Sequence, residues 1–450
     1  MSELPKVITQ LLAEYQEFQR SLPIAGATQC LHDLARFNGN KKTPIHSWFT
    51  YKEGFSADLL EWVMDRLALD LSNIGTLLDP FCGAGTSLLS AQMLYKGSEV
   101  PEIYGVEHNP FVRFVADAKL SWLRYSPTKI ERLLPCIFDS EPKDTKYPVP
   151  ELSTIRNPSV FSPEVLQELL SFRTRISQYA RGTSEEKFLL LGWASVIERV
   201  SGVRKDGRAL RFTKKADVPT VTNALADQWK AMLKDLRLLQ HRIPNATRVK
   251  CQVLAGDGRT LASHGLRNKH FDLIVYSPPY LNNIDYSEVY KLELWLSGYV
   301  SSSEEFRSLR LGTLRSHPSI KFPETDVVGQ LPEELWARRL RRALLEALPN
   351  NKDLDWRTRL VKGYMDDMYQ ALSTQYTIAK PNAFVICVVG NSLHGRKNHP
   401  VLIATDLLIT ALAQAVGFEV KELQIARQLR RRDHENQYLR ETIIILRRPE

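Results

Sequence analysis

The chain lacks any apolar run long enough to cross a bilayer as a helix, which takes roughly 18 residues or more. Its longest strongly apolar stretches, near Ala383–Val389 and Ile443–Leu446, have the length of buried strands. We expect no secretory leader either, because Glu3 and Glu14 fall where such a leader needs a basic start and an uncharged centre. These absences argue against a membrane protein, and we expect a cytoplasmic one.

Cysteine is scarce, with 5 residues among 450 and no CxxC pair. A disulfide framework and a structural zinc site are therefore not expected. The histidines at positions 108, 317, 394 and 399 show no metal-ligand spacing, so we expect no bound metal. The 43% hydrophobic and 25% charged residues are typical of a folded globular chain. Lys and Arg number 60 against 51 Asp and Glu, a net charge of +9 that favours polyanionic partners such as nucleic acid.

Strand and helix patterns alternate in the manner of an α/β fold. Ile74–Asp79 reads as a buried strand, Ser87–Leu94 as a helix and Glu102–Val106 as a second strand. Further strand patterns follow the long helical stretch after them, including Phe271–Tyr276. We divide the chain into an N-terminal helical lead-in (1–45), a first core part (46–115), an inserted helical domain (116–245), a second core part (246–299), a second helical insertion (300–358) and a C-terminal core part (359–450).

A glycine turn, Asp79-Pro-Phe-Cys-Gly-Ala-Gly-Thr86, joins the first strand to its helix. Glycines there let a ligand approach the backbone, and the helix amino terminus points N–H groups outward. Glu107 closes the next strand, where a carboxylate can accept both ribose hydroxyl protons of an adenosyl ligand. Each feature alone also fits a plain turn or a solvated strand end. Together they favour a nucleoside cofactor, and the absence of Lys-Ser/Thr after the glycines argues against a phosphate-binding loop.

A second motif, Ser277-Pro278-Pro279-Tyr280, follows the apolar strand Phe271–Tyr276. Open α/β sheets bind ligands outside the carboxyl ends of their strands. Prolines supply no N–H donors, so their carbonyls remain free to accept hydrogen bonds from an amino group. A flat amino-bearing base could stack on Tyr280 while its NH₂ donates to Ser277 and the Pro278 carbonyl. The bland alternative is a rigid turn with Tyr280 packed on the core.

The two motifs together resemble those of the S-adenosylmethionine-dependent DNA amino-methyltransferases, and within them the cytosine-N4 enzymes of restriction–modification systems. DPFCGAGT is similar to the cofactor motif DPFxGxGT of this family, and SPPY to its catalytic motif. The resemblance covers about 45–110 and 250–450. It implies a doubly wound, Rossmann-like seven-strand sheet with helical insertions, S-adenosylmethionine as cofactor and double-stranded DNA as substrate. A cognate restriction endonuclease or another defence-system protein is a candidate partner.

Site residues follow from the same resemblance. Ser277, Pro278, Pro279 and Tyr280 are the implied catalytic residues. Those implied to bind the cofactor are Asp79, Phe81, Gly83, Gly85 and Thr86 for its methionine part, Glu107 for the ribose, Asp257 for the adenine amino group, and Lys52 and Phe55 in a segment that approaches the cofactor from before the first strand.

The order of the motifs departs from the commonest cytosine-N4 arrangement, in which the catalytic half comes first. A cytosine-C5 enzyme would need a nucleophilic cysteine where Ser277 stands, and Cys136 lies in the insertion. An adenine-N6 DNA enzyme, which more often carries Asp or Asn at the first motif position, and an RNA amino-methyltransferase remain open. So does a catalytically silent nucleic-acid-binding homologue.

Residues 199–215 set seven basic side chains against the single Asp206. We predict a basic loop, made flexible by Gly202 and Gly207, that contacts DNA phosphates. A solvated basic loop is the alternative. The expected contacts are Arg204, Lys205, Arg208, Arg211, Lys214 and Lys215.

Overall fold

The computed structural model of the chain describes residues 6–27, 31–95, 101–140, 146–206, 209–213, 218–243, 249–261, 265–348, 355–396, 399–429 and 436–450. Within these ranges, every helix is too short or too polar to serve as a membrane span.

The α-helices are α1 (Lys6–Arg20), α2 (Leu59–Arg66), α3 (Thr86–Leu94), α4 (Pro110–Leu120), α5 (Pro127–Asp139), α6 (Ser153–Arg156), α7 (Pro163–Ala180), α8 (Ser184–Val200), α9 (Val221–Arg242), α10 (Tyr286–Val289), α11 (Lys291–Leu296), α12 (Ser303–Leu311), α13 (Trp336–Ala347), α14 (Asp355–Ile378) and α15 (Thr405–Val416). The strands are β1 (Ile24–Ala25), β2 (Thr76–Asp79), β3 (Glu102–Glu107), β4 (Val203–Asp206), β5 (Ala209–Phe212), β6 (Lys250–Ala255), β7 (Phe271–Tyr276), β8 (Ala379–Gly390), β9 (Ser392–Arg396), β10 (His399–Ile403), β11 (Glu419–Gln428) and β12 (Arg440–Arg447).

One large sheet organises the described residues, in the order β1-β11-β12-β8-β7-β2-β3-β6. Strands β6, β3, β2, β7 and β8 run parallel, whereas β12 is antiparallel to both of its neighbours. Strands buried on both faces read as continuous apolar runs, which is why Phe271–Tyr276 is found with the predicted bounds. The predicted doubly wound α/β sheet of seven strands is confirmed, and the two-residue β1 adds an eighth.

The N-terminal segment is tied to this sheet rather than appended to it. Strand β1 pairs in parallel with β11. Helix α1 packs on α13, where the Phe18 and Trp336 rings lie 4.9 Å apart. The Arg339 guanidinium on α13 also bonds to Glu14 at 2.9 Å. The lead-in and the second insertion therefore cover the same face of the molecule.

The predicted basic loop is in fact a β-hairpin at its described residues. Strands β4 and β5 pair antiparallel, with Arg204 opposite Arg211. Burial alternates along β4, where Val203 and Lys205 face inward and Arg204 and Asp206 face solvent. Two four-residue strands rich in charge give the same pattern as a solvated loop, so the sequence did not reveal them.

The base of the hairpin is also less mobile than predicted. The Gly202 N–H donates to the Val160 carbonyl at 2.7 Å, and a Cβ at Gly202 would lie 2.0 Å from the Ser159 oxygen. Close packing therefore explains this glycine. Gly207, Arg208, Lys214 and Lys215 lie outside the described residues.

Lys205 is not available for the phosphate contact that we predicted. Its side chain is 5% exposed and its ammonium is ion-paired with the buried Glu293 of α11. The ammonium also lies 4.4 Å from the centre of the Tyr290 ring and 3.9 Å from Glu198. The side chain of Lys205 turns inward on its alternating strand because the buried carboxylate needs a cation. Lys205 anchors the hairpin to the core.

Replacing Lys205 with Met should destabilise the fold by about 3–5 kcal/mol, because Glu293 would stay buried without its cation. Urea denaturation measures the change. The double variant Lys205→Met/Glu293→Leu should recover most of the loss. Equal stability of the single variant and the unmodified chain would contradict the anchoring role.

Candidate active site

A cleft of about 980 Å³ opens at the carboxyl ends of β2, β3 and β7. Within the sheet, β3 lies next to β2 on one side and β7 lies next to β2 on the other. This reversal is the position at which open α/β sheets bind ligands. The cleft is lined by both motifs and by residues that neither motif contains.

The glycine turn lies on the cleft wall through Asp79, Phe81, Gly83 and Thr86. The buried Asp79 carboxylate accepts a hydrogen bond from the Ser87 hydroxyl and another from the Phe81 N–H at 3.0 Å, which fixes the turn. Burial raises the pKa of Asp79 to about 7, against the lowering effect of these bonds.

The two glycines of the turn serve different purposes. Both have positive φ, +50° at Gly83 and +79° at Gly85, a region that L side chains rarely adopt. A Cβ at Gly83 would come within 2.8 Å of the Tyr51 ring. A Cβ at Gly85 would lie 3.1 Å from the Ala116 methyl of α4. Gly85 is the N-cap of α3 and packs against α4. It is not among the residues that line the cleft.

Glu107 joins the glycine turn to the end of β3. One carboxylate oxygen accepts the Gly83 N–H at 3.0 Å, and the other accepts the Asn109 N–H at 2.7 Å. Burial raises the pKa of Glu107 to about 7, although both backbone bonds act in the opposite direction. A carboxylate can accept about four hydrogen bonds, so each oxygen keeps capacity for a donor from a ligand.

The cleft has the features that an adenosyl cofactor requires. The Asn109 amide nitrogen is buried and has no hydrogen-bond partner within the described part of the chain. Gly258 is held so closely that a Cβ there would lie 2.6 Å from both the Phe81 ring and the Pro80 oxygen. An acceptor at Glu107 and a donor at Asn109 suit a ribose, and Gly258 lets the chain pass close to the Phe81 ring.

Asp257 lines the cleft at the end of β6 and is held by a guanidinium. Arg259 reaches both of its carboxylate oxygens, at 2.6–3.0 Å, and lies 3.0 Å from Asp367 of α14. Asp367 in turn pairs with Arg315 at 2.8 Å. Neither arginine belongs to a motif. This ionic chain runs from the predicted adenine end of the cleft to the second insertion.

The cleft is also lined by Ser277, Pro278 and Pro279, at the carboxyl end of β7. The Ser277 hydroxyl donates to the Tyr280 hydroxyl at 3.2 Å, which leaves the lone pairs of the serine oxygen available as acceptors. Tyr280 itself is not a lining residue. Its ring packs beside Gly390, where an added Cβ would lie 2.9 Å away. The ring is half-buried, and the predicted stacking of a base on Tyr280 stays a prediction.

In the segment before β2, some predicted residues line the cleft and others do not. Phe55 and Tyr51 line the cleft, as predicted for the region. Lys52 is not in the wall, since its ammonium donates to the Lys205 carbonyl at 2.9 Å and supports the hairpin. Residues 51–54 form a turn, in which the Gly54 N–H donates to the Tyr51 carbonyl at 3.3 Å.

One wall of the cleft comes from the second insertion and was not predicted. Thr313, Ser316 and His317 line it. The Ser316 carbonyl accepts the Asn283 N–H at 3.2 Å, which attaches this wall to the loop after SPPY. The buried Ser316 hydroxyl has no partner among the described residues. A short polar loop without a motif gave no signal in the sequence.

Comparison with known proteins identifies relatives over most of the chain. No family model matches it. It is 26% identical over 441 residues to the type II methyltransferase M.BsoBI of Geobacillus stearothermophilus, covering 88% of this chain and 82% of that protein. It is 24% identical to the type II methyltransferase M.AvaI of Nostoc sp., covering 87% and 83%.

Among solved structures, the rRNA methyltransferase aviRa of Streptomyces viridochromogenes aligns over 94% of this chain and 90% of its own, at 11% identity and a TM-score of 0.29. A likeness this low carries no argument. Both of these sequence relatives are type II methyltransferases, and each aligns over most of this chain.

Affinity for S-adenosylmethionine should rise with pH through about 7 and then level off. Only the ionised Glu107 can accept two ribose hydroxyls, and its pKa of about 7 means that it is protonated below that pH. Affinity should fall about tenfold per pH unit well below 7. Calorimetry from pH 5.5 to 8.5 measures it.

The control is Glu107→Gln, which should bind weakly at every pH and show a flat profile. A pH dependence that persists in this variant would assign the titration to Asp79 instead.

Proposed function

We propose that the chain transfers a methyl group from S-adenosylmethionine to the exocyclic N4 of a flipped cytosine in double-stranded DNA. The observation that carries the proposal is the union, in one cleft, of an adenosyl-type half around Glu107 and an acceptor half around Ser277. The similarity to two type II methyltransferases over most of the chain supports methyl transfer.

The cofactor half would be formed by residues that the fold has already fixed. Glu107 would accept the ribose hydroxyls and Asp257 the adenine amino group, while Asp79, Phe81, Gly83 and Thr86 would surround the methionine part. Phe55 closes the same wall. The bound cofactor supplies an electrophilic methyl group. These residues orient it toward Ser277 across the cleft.

The acceptor half addresses the poor nucleophilicity of a base amino group, whose lone pair is delocalised into the ring. Hydrogen bonds from NH₂ to the Ser277 oxygen and the Pro278 carbonyl would hold the nitrogen with its lone pair directed at the methyl. Ser277 suits this task because its own proton is committed to Tyr280. As the N–C bond forms, the methyl–sulfur bond of the cofactor would break to leave a neutral thioether, and the proton lost by the amino nitrogen would pass to water; no covalent enzyme intermediate is required.

Cytosine is favoured over adenine by Ser277, because the resembled adenine-N6 enzymes more often have Asp or Asn there. An adenine-N6 DNA enzyme or an RNA amino-methyltransferase is the alternative activity. A restriction–modification role, with a cognate endonuclease as partner, follows from the type II relatives. A catalytically silent homologue would not need to keep Ser277 in the cleft. Here the cleft contains both the adenosyl-type half and the acceptor half.

The experiment that tests the activity uses tritiated S-adenosylmethionine with genomic DNA from an unmodified host and, in parallel, with total RNA. Label should enter DNA and saturate as one class of sites is filled. Label in RNA alone would contradict the DNA assignment, and label in neither would support the silent homologue.

Ser277→Ala should slow methyl transfer by at least about tenfold at unchanged cofactor affinity, because it removes one acceptor at the reacting nitrogen. Single-turnover rates and calorimetry separate the two effects. Ser195→Ala is a matched control, since that hydroxyl bonds to the Gly192 carbonyl within α8. Full activity of Ser277→Ala would remove Ser277 from the mechanism.

DNA contact by the hairpin is proposed for Arg204 and Arg211, which are exposed and opposite each other. Arg211 also lies 3.4 Å from Asp206, an exposed pair of little energetic value. Arg204→Ala/Arg211→Ala should reduce the slope of log K against log salt by about 0.9 for each phosphate that the hairpin no longer neutralises.

Binding titrations at a series of salt concentrations measure this slope, on duplexes with and without the sequence that the chain methylates. A weakening confined to the modified sequence would show that an arginine reads a base edge rather than a phosphate. An unchanged slope and affinity on both duplexes would reduce the hairpin to a solvated surface.

A further inference from the structure

A second groove, with an empty volume of about 1220 Å³, adjoins the cleft. It is formed by residues 315–326 of the second insertion and by the first turns of α14, and we call it the adjoining groove. His317 lines both the cleft and the adjoining groove. His317 therefore belongs to the walls of both openings.

The wall between the two spaces is held by a dense set of hydrogen bonds. His317 is 1% exposed, and one ring nitrogen lies 2.7 Å from the Ser319 hydroxyl and 3.5 Å from Asp285. Asp285 also pairs with Arg310 at 2.8 Å. The ring of Phe322 packs edge-on against His317 at 5.3 Å. These contacts fix the position of His317 in the walls of the cleft and the adjoining groove.

Some of the cations that line the adjoining groove are ion-paired with carboxylates, and others are not. Arg315 is committed to Asp367 at 2.8 Å, and Arg359 lies 3.9 Å from Glu324. Lys321 and Lys362 also line the groove, and neither forms an ion pair with any described residue. Asp326, an acidic residue of the same lining, is already paired with Arg341.

Two aromatic residues, Phe322 and Trp356, lie among these cations in the groove lining. Cations interleaved with aromatic faces suit a nucleic acid strand, because phosphates take the charge while sugars and bases contact the rings. A small free anion would contact the lysines alone, whereas a strand is long enough to contact both the lysines and the two rings. The lining therefore favours a polynucleotide.

We propose that the adjoining groove holds the backbone of the DNA strand that carries the target nucleotide, with Lys321 and Lys362 on phosphates flanking it. The proposal rests on the proposed function, since a nucleotide in the cleft remains covalently linked to its strand on both sides. That strand must leave the cleft, and the adjoining groove begins at the other face of His317. The hairpin would then hold the duplex elsewhere.

The test compares two double variants that remove the same charge. Lys321→Ala/Lys362→Ala should lower the slope of log K against log salt by about 1.8, two phosphates at about 0.9 each, without changing affinity for S-adenosylmethionine. Lys230→Ala/Lys234→Ala on α9 is the control, since both lysines are exposed on another part of the molecule. Equal reductions in the two variants, or none in the first, would overturn the proposal.

A chemically neutral linkage locates the contact. The test duplex has methylphosphonates in place of the phosphates flanking the target nucleotide. The unmodified chain should bind it more weakly than it binds the all-phosphate duplex. The Lys321→Ala/Lys362→Ala variant should bind the two duplexes equally. Additive reductions in affinity would place the lysines on other phosphates. Calorimetry with adenosine monophosphate tests the competing occupant, and tight binding that disappears in the variant would assign the groove to a free nucleotide.

Binding is scored apart from methyl transfer, so the two proposals fail separately. A chain that binds DNA through these lysines but transfers no methyl group would overturn the proposed activity. A chain that methylates DNA, and whose DNA affinity is the same in both double variants as in the unmodified chain, would overturn the groove assignment.

Discussion

The architecture of the cleft depends on the burial of one carboxylate. Glu107 ends β3 half-buried in the cleft wall, and burial of a carboxylate without donors would cost several kcal/mol. Its two backbone bonds, to Gly83 and Asn109, offset part of that cost and fix the glycine turn against β3. Further donors on a ligand would offset the rest. The raised pKa of Glu107 is the measurable sign of this incomplete satisfaction.

The insertions are bound to the sheet by shared cores, and this affects the site. Helices α7, α8 and α9 contribute to the same hydrophobic cluster as β2 and β3. Helices α1, α13 and α14 share a second cluster with β7 and β8. The second insertion is also joined to the cleft through Arg259 and Asp367. The insertions are therefore packed against the elements that carry the cleft.

The sequence was informative wherever a local pattern had a local cause. The apolar run Phe271–Tyr276 is a buried strand, as its pattern predicts, and Gly83 meets Glu107 because strand ends converge at a sheet edge. It failed where distant partners decide. Lys205 was read as a surface charge, and only the tertiary fold brings it to Glu293.

The same limitation applies within the cleft. Tyr280 belongs to a motif, yet packing beside Gly390 decides where its ring lies. His317 belongs to no motif, yet the fold places it between two openings. Side-chain direction in loops depends on residues far apart in sequence. A motif therefore specifies the chemistry at a strand end more reliably than the role of each of its members.

The identity of the methylated base tests the central claim most directly. DNA from an unmodified host, incubated with the protein and S-adenosylmethionine, is digested to nucleosides and analysed by mass spectrometry against synthetic standards. We predict N4-methyldeoxycytidine, formed by the unmodified chain and strongly reduced with Ser277→Ala. N6-methyldeoxyadenosine or 5-methyldeoxycytidine as the product would contradict the account of the acceptor half of the cleft.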